Sequence, residues 1–314
     1  MSWDHILFDM AGSKKKLVRQ IDALLEYQRT TWKAFRDGEA LLSGVRCKVF
    51  RKGNAYIVVQ SNPGRRKSTS AKVDPVSVSS RPCFLCAHNL PSQERGIGFD
   101  ELVVLPNPYP VLPRHCTIPT REHSPQRLEK KIEVLLKLSK TLGSEMLIFY
   151  NGPRCGASAP DHFHFQACNS TGVPLLDELF EIKKTEQVFP LESFGRKMLV
   201  CRYQSADKAA GFVRHTLEVL SGFGSGPEEP MVNVISVFKD GNYMIIIFPR
   251  AKHRPECYFA EGDFQIAVSP AALEMAGVLV VADPDHFERL DEKTVLSIYQ
   301  EVSLDTERFA QLTR

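Results

Sequence analysis

This sequence predicts an α+β fold of two strand-rich units with flanking helices, and three features carry the prediction. Short apolar runs of strand length recur in both halves, at 146–150, 232–238 and 243–248. Segments of helical periodicity flank them: Leu17, Ile21, Leu24 and Leu25 near the start, and 209–220 further on. The stretch Ser221-Gly222-Phe223-Gly224-Ser225-Gly226-Pro227 is the most linker-like in the chain and divides 1–220 from 221–314. At 314 residues and 43% hydrophobic content, the chain can bury the core of about two such units.

Taken in order, Lys14, Lys15 and Lys16 open the first helix, whose basic face is solvated. Tyr56-Ile57-Val58-Val59-Gln60 reads as a strand. The turn after it concentrates Arg65, Arg66 and Lys72, local positive charge that suits phosphate oxygens, although Lys67 beside them reads as a solvated charge. Cys83-Phe84-Leu85-Cys86 is a Cys-x2-Cys knuckle in a proline-flanked loop. Two thiolates at this spacing supply half of a tetrahedral metal site, with His88, His115, His123 and His162 as candidates for the rest. A redox pair is the rival reading, but such pairs open a helix after a strand. The other cysteines, 47, 116, 155, 168, 201 and 257, are scattered. With no secretory signal, they read as reduced thiols of a cytoplasmic protein.

After the strand at 146–150, Asn151-Gly152-Pro153-Arg154-Cys155-Gly156-Ala157-Ser158-Ala159-Pro160 is a small-residue loop. Its N–H groups near Gly152, Gly156, Ala157 and Ser158, together with Arg154, would suit phosphate oxygens. His162-Phe163-His164-Phe165-Gln166 follows, and in an extended strand every second residue shares a face. His162, His164 and Gln166 then line one surface while Phe163 and Phe165 anchor the strand behind it. A neutral imidazole can attack phosphorus without first losing a proton, so His164 could form a phosphoramidate. Gln166 cannot act as acid or base, but its amide can bind a phosphoryl oxygen or orient the nucleophile. Without a third titratable group, such a site suits transfer to a bound acceptor better than activation of water. The residues alone also allow metal ligation by His-x-His, or histidines buried for structure.

In the second half, 232–238 and 243–248 read as a hairpin turned by Asp240-Gly241-Asn242. Pro249-Arg250-Ala251-Lys252-His253-Arg254-Pro255 is a basic turn, either an acceptor contact or bare surface, and 278–281 is an apolar strand.

Several of these motifs also carry a resemblance. The knuckle, Leu105-Pro106-Asn107-Pro108-Tyr109-Pro110, Arg121-Glu122-His123-Ser124-Pro125-Gln126, the Gly-Ala-Ser loop and His162-x-His164-x-Gln166 occur in one order. In that order, and over most of the chain, they resemble the branch of the histidine-triad superfamily that contains galactose-1-phosphate uridylyltransferase, diadenosine tetraphosphate phosphorylase and the GDP-hexose phosphorylases. The resemblance implies two histidine-triad-like units, each an antiparallel sheet with flanking helices, the second degenerate for want of a His-x-His strand. It implies His164 as nucleophile and Gln166 as the glutamine that sets transferases apart from histidine-triad hydrolases. It further implies a structural zinc on Cys83, Cys86, His123 and His162, with His115 as rival for the third place, and ligand contacts at Asn107 and Asn151. The run 162–167 looks most like the GDP-hexose phosphorylase version, and 269–277 is similar to it too. The Gly156-Ala157-Ser158 loop looks at least as much like the diadenosine phosphorylases. The sequence departs from the uridylyltransferases at Asp161 and in lacking the downstream His-x-His pair of their second metal site.

A net charge of +3 does not suit non-specific nucleic-acid binding, and no apolar run is long enough to cross a membrane. The expected protein is a nucleotidyltransferase or phosphorylase, monomeric or homodimeric, with structural zinc. Its donor would be a nucleoside diphosphate-sugar or dinucleoside polyphosphate, and its acceptor inorganic phosphate or a sugar phosphate. The alternatives are a non-catalytic, zinc-stabilised nucleotide-binding protein and a metal-dependent phosphohydrolase with His162 and His164 on a catalytic metal.

Overall fold

The computed structural model describes residues 3–8, 16–66, 74–182, 187–224 and 228–312. Its strands are β1 (Arg46–Lys52), β2 (Ala55–Ser61), β3 (Ile97–Phe99), β4 (Leu102–Pro106), β5 (Cys116–Pro119) and β6 (Met146–Asn151), followed by β7 (His164–Asn169), β8 (Val188–Ser193), β9 (Arg196–Tyr203), β10 (Val232–Lys239), β11 (Asn242–Pro249) and β12 (Val278–Val281). Nine of them form one sheet in the order β3-β4-β5-β7-β6-β10-β11-β9-β8, and every neighbouring pair in it is antiparallel. A second sheet, β1-β2-β12, contains a parallel pair, because β12 returns beside β2 from the far end of the chain.

Side-chain alternation explains why the central strands are apolar throughout. On β6, Met146, Ile148 and Tyr150 enter one core, while Leu147 and Phe149 enter another. On β11, Tyr243, Ile245 and Ile247 face the first core, and Met244, Ile246 and Phe248 the second. The first core is closed by the helices Leu17–Thr31, Ile132–Leu142 and Ala206–Ser221. The second is closed by Pro174–Glu181, Ala272–Met275, Glu292–Val302 and the small sheet. Burying one such isoleucine is worth roughly 1.5–3 kcal/mol, which makes the doubly covered sheet a rigid platform. Among the described residues, no helix is long and apolar enough to cross a membrane.

Local chemistry sets the turns. Asp240 (φ 50°) and Gly241 (φ 77°) form the two-residue loop of the β10–β11 hairpin, both left-handed as that twist requires, and Asn242 already pairs with Lys239. Phe194 (φ 51°) and Gly195 (φ 79°) do the same between β8 and β9, a turn without the usual Asn or Asp signal.

The two halves share one sheet. β10 pairs with β6 across the middle, and β9, which precedes residue 220, pairs with β11, which follows it. The second half carries no histidine pair; its face toward the second core is filled by Ile235, Met244 and Ile246, with Met198 and Val200 of the neighbouring β9 beside them. In the first half, the same face is open at β5, β6 and β7, and the cavity lies there.

Candidate active site

β7 is central, flanked by β5 and β6, with Thr117 and Phe149 directly opposite Gln166. Phe163 and Phe165 are fully buried on the other side with Tyr150 and Ile148, as the alternation predicts. His164 and Gln166 therefore face a cavity of about 560 Å³ that reaches both halves of the chain.

Three hydrogen bonds hold His164. Its Nδ1 lies 2.9 Å from the His162 carbonyl, which can only accept, so Nδ1 carries the proton and Nε2 is left with a lone pair. Its backbone N–H donates to Gln126 Oε1 (2.8 Å), and Gln126 Nε2 donates back to the His164 carbonyl (2.9 Å) and to that of Asn151 (3.0 Å). Burial lowers the His164 pKa to about 4, so the ring is neutral near pH 7.

Gln166 is oriented by His115. The Val111 N–H donates to His115 Nδ1 (3.1 Å), which places the proton on Nε2, and Nε2 donates to Gln166 Oε1 (2.8 Å). With its oxygen engaged, the amide has its NH2 to offer, a donor for a phosphoryl oxygen. Burial, then the charge of Arg65, pushes His115 down to about 3, which keeps this single tautomer. His115 is thus bound to Gln166, away from the metal cluster.

That cluster consists of Cys83, Cys86, His123 and His162, whose ligand atoms lie within 4.8 Å of one another. His162 Nε2 donates to the Thr120 carbonyl (2.8 Å), leaving Nδ1 to face Cys83 Sγ (3.3 Å) and Cys86 Sγ (3.6 Å). His123 Nδ1 lies 3.3 Å from Cys86 Sγ. Burial pushes the Cys83 thiol up, so a thiolate there requires a cation. The donor set fits a closed four-coordinate metal, and the Thr120 bond is the outer-shell contact that fixes a ligating imidazole. Phe84 and Leu85 of the knuckle line the cavity, so the cluster braces the wall and the strand that presents His164.

The loop from Asn151 to Pro160 closes over this strand. Its Gly152, Cys155 and Ala157 N–H groups bond inward, to Val232, Gly152 and Gly152 carbonyls, whereas those of Gly156 and Ser158 have no acceptor among the described residues. Gly156 has φ +112°, and a Cβ on it would sit 2.5 Å from that of Ala271, so close approach of the second half demands glycine there. Asn151 Oδ1 accepts from Asn233 Nδ2 (3.0 Å) and the Ala272 N–H (2.9 Å).

The cavity is lined by Arg65, Asn107, Asn151, Gly156, Ala157, Ser158, His164 and Gln166 among the residues singled out in the sequence. Arg65 donates to the Tyr109 carbonyl (2.5 Å), and Asn107 Nδ2 to Thr117 Oγ1 (3.2 Å). Arg66 is not among the lining residues; it is exposed, with a guanidinium nitrogen 3.3 Å from Asp283 Oδ2, because the short helical turn Pro63–Arg65 directs it outward. Lys72 lies outside the described residues. The basic turn of the second half contributes His253 and Arg254, both gathered on Ser269 Oγ at 3.0 and 3.2 Å. Sequence reasoning missed the clamp by Gln126, the orienting role of His115, and Glu94. For Gln126 the available signal was its place at the end of the motif 121–126, which names no role for it, and its partners lie 25 and 38 residues away.

Two buried carboxyls give a pH dependence. Burial raises Glu94 from 4.5 to about 8, and Glu229, bonded to Tyr150 Oη (2.5 Å) and the Leu128 N–H (2.6 Å), to about 7. Above about pH 4.5 the unfolded chain sheds protons that the folded chain keeps, so this stability is full below that pH and is lost as pH rises through 7 to 8. The loss is of the order of a few kcal/mol. Glu94→Gln is expected to show a smaller fall in thermal midpoint from about pH 5 to about pH 8 than wild type; equal falls would contradict this account.

Comparison with known proteins agrees with this architecture. Residues 174–314 match the family model described as "GDPGP1-like, C-terminal domain", and residues 24–169 match "Domain of unknown function (DUF4922)". No curated protein sequence matches. The yeast Ap4A phosphorylase Apa2 in complex with AMP is similar over 93% of this chain and 97% of its own, at 18% identity and a TM-score of 0.61. The same yeast enzyme in complex with Ap4A is similar over 93% and 98%, at 16% identity and a TM-score of 0.58. At these identities the similarity is one of fold.

Proposed function

We propose that this chain, which belongs to the branch of the histidine-triad superfamily holding the diadenosine tetraphosphate and GDP-hexose phosphorylases, is a phosphorylase that works through a nucleotidyl-His164 intermediate. The observation that carries this reading is the tautomer of His164: Nδ1–H is tied to the His162 carbonyl and Nε2 is free on the cavity side.

A nucleoside diphosphate-sugar or dinucleoside polyphosphate binds with its α-phosphorus before Nε2. The nitrogen lone pair forms the N–P bond as the bond from that phosphorus to the bridging oxygen breaks, and the sugar phosphate or nucleotide leaves with the electron pair. The positive charge on the ring is shared with the His162 carbonyl through Nδ1–H. The Gln166 NH2, the Gly156 and Ser158 N–H groups and Arg65 stabilise the phosphoryl oxygens. An oxygen of inorganic phosphate then attacks the same phosphorus, releasing a nucleoside diphosphate and restoring neutral His164. Arg254 and Ser269, facing this site from the second half, suit the incoming phosphate. Zinc is the metal assigned to Cys83, Cys86, His123 and His162. It is structural, and His164 is not part of its donor set, which separates this reading from the metal-dependent hydrolase.

The test is phosphorolysis: the metal-loaded protein with GDP-, UDP- and ADP-sugars and diadenosine polyphosphates, with and without inorganic phosphate. Phosphate-dependent formation of nucleoside diphosphate is expected. Folded, metal-loaded protein that binds nucleotide and releases no product would favour the non-catalytic reading. Gln166→His, which adds a titratable group beside the intermediate, is expected to divert part of the product to nucleoside monophosphate by hydrolysis; unchanged partitioning would remove Gln166 from the transfer chemistry.

A further inference from the structure

Asn151 stands level with His164. Phe149 pairs with Gln166, and these two residues lie one alternation further along their strands, on the same face. Asn151 is buried in the cavity wall, and a Cβ on Gly156 would come 3.6 Å from its carboxamide carbon, so its side chain and the Gly156 N–H border the same space. What Asn151 offers a phosphoryl oxygen depends on which way its amide is turned: the NH2 would bind that oxygen and the carbonyl would repel it.

Two buried residues of the second half decide the orientation. Arg250 is 4% exposed and directs all five of its N–H donors to oxygen. Nε donates to the Val302 carbonyl (3.1 Å) and Nη2 to the carbonyls of Lys252 and His253 (3.2 Å each). Nη1 donates to the Pro270 carbonyl (2.9 Å) and to Asn233 Oδ1. Four backbone carbonyls therefore anchor the guanidinium, and the fifth bond sets Asn233. Because a guanidinium can only donate, Asn233 presents its oxygen to Arg250 and its Nδ2 to the other side, where it donates to Asn151 Oδ1 (3.0 Å) and to the Cys155 carbonyl (2.8 Å). The Cys155 carbonyl can only accept, which fixes the same orientation independently. Asn151 Oδ1 also accepts from the Ala272 N–H (2.9 Å). Its oxygen is thus held by two donors, while its Nδ2, with no acceptor among the described residues, is left for the cavity. Asn233 is fully buried between Val232 and Val234 of β10, where a carboxamide is costly unless it is bonded in this way.

We infer that Arg250 and Asn233 are positioning residues for the transfer: a one-way series of donors, from Arg250 to Asn233 to Asn151, turns the Asn151 NH2 toward the phosphoryl oxygens at His164, beside the Gly156 N–H. The inference rests on the nucleotidyl-His164 reading above. A donor already aimed at a phosphoryl oxygen needs no reorganisation during the step, and removing one such donor costs about 10²–10³ in rate. The series also runs between the halves, since Arg250 holds the turn that presents Arg254 and Asn233 holds the loop that presents Gly156 and Ser158.

Asn233→Asp tests it. The aspartate is nearly isosteric and still accepts from Arg250, but it has no hydrogen to give Asn151 or Cys155, so Asn151 turns its NH2 to the new carboxylate and its oxygen to the cavity. In phosphorolysis by the metal-loaded full chain, with GDP-, UDP- and ADP-glucose and diadenosine tetraphosphate as donors, the variant should lose about 10²-fold in kcat, while binding of GDP, UDP and ADP changes by a much smaller factor. A structural asparagine would instead lower thermal stability and weaken binding together with kcat. Asn151→Ala should cost a similar factor, and adding Asn233→Asp to it should cost little more, because the effect runs through Asn151. Losses that multiply in the double variant, or a kcat in folded Asn233→Asp close to that of wild type, would overturn the inference. A measurement on wild type needs no variant to fold: in ¹⁵N-labelled protein the Asn151 side-chain NH2 should shift on saturation with GDP, UDP or ADP, whichever binds, while that of Asn233 stays. An unmoved Asn151 NH2 would overturn the inference as well. If transfer proceeds and Asn233→Asp matches wild type, the positioning role falls alone; if wild type transfers no nucleotide, the phosphorylase reading falls and this inference with it.

Discussion

His164→Ala is expected to lower turnover by at least about 10³-fold while leaving fold, metal content and nucleotide binding in place. On the proposed mechanism the Nε2 lone pair makes the covalent bond, so its loss removes the chemical step. Little structure depends on the ring. The Gln126 clamp grips the backbone N–H and carbonyl of residue 164, which alanine retains, and the ring's own bond goes to a backbone carbonyl. Activity against circular dichroism, metal analysis and nucleotide titration checks the result. Loss of metal in this variant would make His164 a ligand and contradict the assignment of the cluster; retained turnover would exclude the nucleophile.

Cys83→Ser should have the opposite profile, with stability and metal lost together. The knuckle joins a loop to His123 and His162, residues that contact it across 37 and 79 positions of sequence, so a metal held there would tie three otherwise separate segments. Losing one of four ligands is expected to cost several kcal/mol, which at about 2–4 °C per kcal/mol lowers the thermal midpoint by about 10 °C. Chelation of wild type should produce the same shift, with activity falling as a consequence of unfolding. Unchanged metal content in Cys83→Ser would rule out the knuckle as a ligand pair. Full stability with rapid, reversible loss of activity on chelation would point to a catalytic metal.

Both predictions rest on features that were legible in the sequence for physical reasons. The period of two made the common face of His164 and Gln166 legible, with Phe165 as anchor behind it, but the strand begins only at His164: His162 and Phe163 precede it, and His162 turns to Cys83 and Cys86 and does not line the cavity. The knuckle was legible because two thiolates at close spacing have few other uses. Long-range contacts were not legible. Nothing local in 188–203 says that this hairpin completes a sheet begun by β3, and nothing in 278–281 says that it lies parallel to β2. Arg65 and Arg66 are neighbours in sequence, yet one reaches the cavity and the other Asp283, a distinction made by a single helical turn. His115 drew notice only as a metal candidate, because its partner Gln166 is 51 residues away. Glu94 carried no motif at all; only its burial in the folded chain raises its pKa.

The covalent step is tested most directly by intact mass measurement of wild type and His164→Ala after mixing with GDP-, UDP- and ADP-sugars and diadenosine polyphosphates in the absence of phosphate. An acid-labile adduct of one nucleoside monophosphate, present in wild type, absent from His164→Ala and discharged as nucleoside diphosphate when phosphate is added, is the predicted result. No adduct from any of these donors on folded, metal-loaded wild type, or an adduct of equal yield on His164→Ala, would contradict the account.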